Sequence, residues 1–123
     1  MKIKFVVEDV VPRAKERPRF TRTGFTYTPK GTREYEQIIR DEYMVAAKKN
    51  EWEVFEKPCK MMIKFEIVHR KQVDLDNLTK AVTDALNKVA YIDDNLIHEL
   101  HLYKCIKAEV NRITVEIEDL GVT

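Results

Sequence analysis

Glycine is scarce in this sequence, at three of 123 residues, and so are cysteine, at two, and long hydrophobic runs. No apolar run exceeds five residues (Tyr43 to Ala47), which predicts neither a membrane span nor a signal peptide. Cys59 and Cys105 have no CxxC spacing and read as buried free thiols of a reducing, cytoplasmic protein. Internal repeats, low-complexity tracts and linkers are missing too, so residues 1–123 are expected to form one domain.

What the chain does have is charge, unevenly spread. From Arg13 to Arg33 it carries seven bases (Arg13, Lys15, Arg17, Arg19, Arg22, Lys30 and Arg33) against Glu16, a net +6. The rest holds 15 bases and 20 acids, a net −5. A basic arm on a mildly acidic body points to an anionic partner, the plainer alternative being a solvated loop. Phe20, Phe25 and Tyr27 lie among the arm's arginines. Cations that hold phosphates beside rings that stack on unpaired bases suit distorted or branched nucleic acid, although for any single ring ordinary packing of the hairpin is the plainer reading.

The hydrophobic pattern predicts the order β, hairpin, α, β, α, β, β. Met1 to Glu8 alternates as a strand, with Ile3, Phe5 and Val7 on one side. Val10 to Gly31 holds three of the four prolines and reads as an irregular hairpin. Thr32 can cap a helix running to about Lys49, its inner stripe being Tyr35, Ile38, Ile39, Glu42/Tyr43 and Ala46. After Pro58 comes a strand with Met61, Ile63, Phe65 and Ile67 inward. A second helix carries the stripe Leu75, Leu78, Ala81, Val82, Ala85, Leu86 and Val89. Leu96 to Lys107 and Arg112 to Glu118 read as two strands joined by a turn near Glu109–Asn111. The expected class is α/β (α+β): one two-layer domain, with a mixed sheet and two main helices.

Four carboxylates bracket the second helix, Asp74 and Asp76 before it and Asp93 and Asp94 beyond it. Capping would account for one aspartate, but hardly for two at alternating spacing joined by a further pair. Two carboxylates about 4 Å apart repel by roughly 4 kcal/mol at an effective dielectric near 20, so a convergent set needs a cation. Oxygen donors without paired cysteine or histidine point to Mg²⁺, with Mn²⁺ able to substitute. An EF-hand loop starting at Asp74 fails, since Leu78 and Thr79 stand where an oxygen ligand and a glycine are required. "DLDNL" resembles the DxD of haloacid-dehalogenase-like phosphatases only weakly, and that fold needs a longer chain. His69, His98 and His101 read as packing or surface residues rather than zinc ligands. Lys80, one turn after Asp76, is either an i,i+4 ion-pair partner, possibly shared with Asp84, or a cation aimed at a scissile phosphate.

"VDLDNLTKAVTDALN" followed by "YIDD" resembles the core signature of the RusA-type Holliday junction resolvases, small homodimeric endonucleases common in phages and prophages. "KERPRFTRTGFTYTPKGTREYE" resembles the amino-terminal half of their phage-encoded members. The resemblance implies essential carboxylates at Asp74, Asp76 and Asp94, an additional acid at Asp93, a catalytic lysine at Lys80 and the signature asparagine at Asn77. It also implies Mg²⁺-dependent cutting of four-way DNA junctions in recombination and repair. Phosphate contacts are expected from Lys15, Arg17, Arg19, Arg22, Lys30 and Arg33. Some members carry a basic run directly before the first aspartate; here "HRKQVDLD" leaves Arg70 and Lys71 as the candidates. The alternatives are a flap or fork endonuclease of phage replication and a DNA-binding module that no longer cuts.

Overall fold

The computed structural model describes residues 2–16, 19–27, 29–69 and 73–121, the side chains of Arg19 and Phe20 excepted. The chain runs β1 (Lys2–Glu8), β2 (Arg19–Phe20), β3 (Thr26–Tyr27), α1 (Lys30–Lys49), β4 (Cys59–Ile67), α2 (Leu75–Leu86), a 3-10 turn (Asp94–Leu96), β5 (Ile97–Ile106) and β6 (Arg112–Asp119). Four strands form one mixed sheet in the order β1-β6-β4-β5, with β4 and β5 parallel and the other pairs antiparallel. β2 and β3 pair separately as a short hairpin. The expected mixed sheet with two main helices is what forms.

Period-two alternation builds the sheet's inner face. Met61, Ile63, Phe65 and Ile67 of β4 and Ile113, Val115 and Ile117 of β6 have no exposure, and Ile3, Phe5 and Val7 of β1 continue the layer. Against it pack Tyr35, Ile39, Tyr43 and Ala47 of α1 and Leu78, Ala81, Val82, Ala85 and Leu86 of α2. Each fully buried Ile or Leu contributes about 1.5–3 kcal/mol. Phe5 and Tyr43 meet edge to face, ring centroids 5.8 Å apart, which ties β1 to α1.

Several expectations are corrected. α1 begins at Lys30, with Pro29 at its N-cap, so Thr32 lies inside the helix and its buried hydroxyl donates to Glu16. The inner stripe takes in Glu36 and Ala47 and leaves Ile38 40% exposed. α2 ends at Leu86 rather than reaching Val89, because Asn87 is extended (ψ 130°) and Lys88 then takes a left-handed conformation (φ 65°) that turns the chain. Cys59 is buried, but Cys105 is exposed, since β5 is the outer strand. β5 and β6 are consecutive without being neighbours. Their connection steps over the end of β4, where the Ala108 amide donates to the Ile67 carbonyl and the Val68 amide to Asn111 Oδ1.

Candidate active site

β4 hands the chain to α2, and that junction carries Asp74 and Asp76 on the surface. Asp74 occupies the N-cap position, yet its side chain makes no capping hydrogen bond. Asp76, in the first turn, accepts from the Asn77 amide at 3.0 Å. The positive end of the helix dipole favours both charges. Capping therefore does not account for Asp74.

At the other end of α2 the chain doubles back through Tyr91, whose buried hydroxyl donates to the Thr83 carbonyl at 2.7 Å. Burial pushes that phenol far above the ordinary tyrosine range, and the Asp94 charge adds to the push. The anchor positions the next residues: Asp93 caps the 3-10 turn by accepting from the Asn95 amide at 2.9 Å, and Asp94 stands half-buried inside it. With α2 twelve residues long, the two acid pairs sit at opposite ends of a helix of about 18 Å. Among the described residues no three His, Cys, Asp or Glu side chains come together as a metal-holding group. One chain thus supplies two separated carboxylate pairs, whose all-oxygen donors fit a hard divalent cation.

The ion-pair partner of Lys80 is Asp84. The Lys80 ammonium lies 3.2 Å from Asp84, one turn further along, and the side chain stays 60% exposed. Asp84 also lies 3.5 Å from Lys15, which sits 2.7 Å from Glu36, which in turn approaches Arg40 at 3.7 Å. Burial opposes the Lys15 ammonium, but the hydrogen bond and charge of Glu36, with those of Asp84, outweigh it and raise its pKa above the ordinary lysine value. Lys15 is thus engaged by acids at the root of the arm. Its backbone amide donates to the Asn77 carbonyl at 3.1 Å, fastening that root to the first turn of α2. Arg13, also at the root, pairs with Glu16 at 2.8 Å and packs so closely on Gly31 that an added Cβ there would meet the guanidinium at 2.7 Å.

Beyond the root, residues 21–27 of the arm are exposed. Arg22, Lys30 and Arg33 are exposed, Lys30 lying 3.7 Å from Glu34. Gly24 (φ 88°) makes the hairpin tip, and Thr21 closes it by accepting from the Phe25 and Gly24 amides. Phe25 and Tyr27 are 71% and 47% exposed, as rings free of the core must be. The expected contacts at Arg17, Arg70 and Lys71 lie outside the described residues, as does the side chain of Arg19. Sequence reasoning missed Glu36 as a partner of the arm; it is 21 positions from Lys15, and no local pattern links them.

The arm is thus fastened beside the carboxylate-bearing start of α2, and the family model for endodeoxyribonuclease RusA matches residues 9–118. The chain belongs to the RusA family. It is an endodeoxyribonuclease, an enzyme that cleaves DNA. No curated protein matches the chain. The RusA-family match covers the arm, both acid pairs, β4, β5 and all of β6 but its last residue, and begins just after β1. No helix among the described residues is long and apolar enough to cross a membrane.

Proposed function

We propose that this RusA-family enzyme is a Mg²⁺-dependent, structure-selective endonuclease that resolves four-way DNA junctions by paired symmetric nicks, acting in the cytoplasm as a homodimer. The observation that carries the reading is the Lys15 amide–Asn77 carbonyl bond, which sets the root of the basic arm beside Asp74 and Asp76. DNA held by Arg17, Arg19, Arg22, Lys30 and Arg33, with Arg70 and Lys71 nearer the acids, then runs past that end of α2.

Asp74, Asp76, Asp93 and Asp94 are the proposed holders of the cation, and Mn²⁺ could replace Mg²⁺. When bound, the ion supplies Lewis-acid activation of water and stabilises negative charge at the scissile phosphate. Lys80 leaves Asp84 for the phosphate as that charge builds, so its contribution falls mainly in the transition state. Asn77 orients the DNA strand beside the acids. The products carry 3′-hydroxyl and 5′-phosphate ends. The separation of the acid pairs along α2 supports a site completed across a two-fold dimer, in which the Asp93–Asp94 pair of one subunit serves the Asp74–Asp76 pair of the other.

A panel of linear duplex, flap, fork and four-way junction, with and without Mg²⁺, tests the reading. Metal-dependent cutting of the junction above the others supports it; preferred cutting of flaps or forks moves the enzyme to replication intermediates.

A further inference from the structure

One carboxylate on α2 serves two lysines from different parts of the chain. Asp84 Oδ1 lies 3.2 Å from the Lys80 ammonium, and Oδ2 lies 3.5 Å from that of Lys15. Among the described residues these are the cations within 4 Å of it. Only 22% of the Asp84 side chain meets solvent, so leaving this carboxylate without a cation is unfavourable.

The two lysines differ in freedom. Lys80 is 60% exposed and makes its i,i+4 pair along the helix surface, an attachment worth little. Lys15 is 24% exposed and is held twice more: its ammonium lies 2.7 Å from buried Glu36, and its amide donates to the Asn77 carbonyl. One cation is free to leave and the other is built in. Asp76 stands one turn from Lys80 in the other direction, about 6 Å along the α2 axis. A lysine that serves a phosphate at that end of the helix must therefore give up Asp84.

We propose that Lys15 is a positioning residue for cleavage: by staying on Asp84 it keeps that carboxylate paired while Lys80 moves to the scissile phosphate. Lys80 then trades one anion for another, and Lys15 covers the one it leaves. Without Lys15, Lys80 becomes the last cation of a part-buried carboxylate. Holding it there opposes the transition state, where its charge is needed. Lys15 itself touches neither phosphate nor metal; it acts through Asp84.

The inference rests on the reading of Lys80 as the lysine that serves the phosphate. Its test is single-turnover cleavage, at saturating enzyme with Mg²⁺, of whichever branched DNA the enzyme cuts fastest, so that affinity drops out. Lys15→Gln should slow this step about tenfold in the wild-type background, as a stranded and mostly buried charge requires, and not at all in a Lys80→Ala background. Asp84→Asn alone should change the rate by no more than about twofold, because the pair it removes from Lys80 is exposed. Added to Lys15→Gln, it should restore the rate to that level, since an amide needs no cation. The melting temperature of this double variant stays below that of the wild type, because Glu36 still lacks Lys15, and rescue of the rate alone thus separates positioning from folding. An unchanged rate in Lys15→Gln, equal slowing in both backgrounds, or no rescue by Asp84→Asn overturns the proposal and leaves Lys80 in its role. A Lys80→Ala enzyme that cuts at the wild-type rate overturns it together with the reading it rests on.

Discussion

Replacing Lys15 with alanine removes the ammonium that sits 2.7 Å from the Glu36 carboxylate and 3.5 Å from Asp84. Glu36 is buried, with 8% exposure, and Arg40 at 3.7 Å is its other cation. Stranding a fully buried charge costs about 3–5 kcal/mol. Lys15 keeps 24% of its side chain in solvent, and Arg40 remains in place, so the discounted loss is about 2 kcal/mol. In a domain of this size that lowers the melting temperature by roughly 8 °C. Urea unfolding followed by circular dichroism measures it, and a Lys15→Ala/Glu36→Gln double variant should lose clearly less than the sum of the two single changes. The reasoning is refuted if stability is unchanged while the salt slope of DNA binding falls by about one unit, which would make Lys15 a phosphate contact.

Asp76→Asn should abolish cleavage while junction affinity, read by gel shift, stays equal or rises slightly, because the site repels phosphate less; equal loss of both marks Asp76 as structural. Lys80→Ala should slow single-turnover cleavage more than it weakens binding, since its ion pair with Asp84 is exposed and worth a few tenths of a kcal/mol; a stability loss without a rate loss contradicts this. Burial raises the Tyr35 phenol to about 12, so the folded form binds more protons than the unfolded form between pH 10 and 12. Stability should therefore fall as pH rises through that window, by about 2–3 kcal/mol from this group, and Tyr35→Phe should flatten the fall in alkaline denaturation.

The parts of the fold that were legible are those written in a local period. Alternation through Met61, Ile63, Phe65 and Ile67 located β4, and the apolar stripe from Leu75 to Leu86 located α2 with the aspartates that bracket it. The order of strands was not legible, because the insertion of β4 between β5 and β6 depends on long-range pairing that no short segment records. Pairing across the fold also hid the role of Lys15. Among six other bases it reads as one more phosphate contact, and only the approach of α1 supplies Glu36. The exposure of Cys105 and Leu100 followed from the same ignorance of which strand lies outermost. The four aspartates and their division between the two ends of α2 were legible from the helical stripe they bracket, whereas the 3-10 turn that holds Asp93 and Asp94 was not.

Cleavage of a synthetic four-way junction, with each strand labelled in turn, tests the central claim most directly. With Mg²⁺ the wild-type protein should nick two opposed strands at symmetric positions, leaving 5′-phosphate ends, and Asp76→Asn should nick neither. Metal-independent cutting, or equal cutting of linear duplex, would contradict the account.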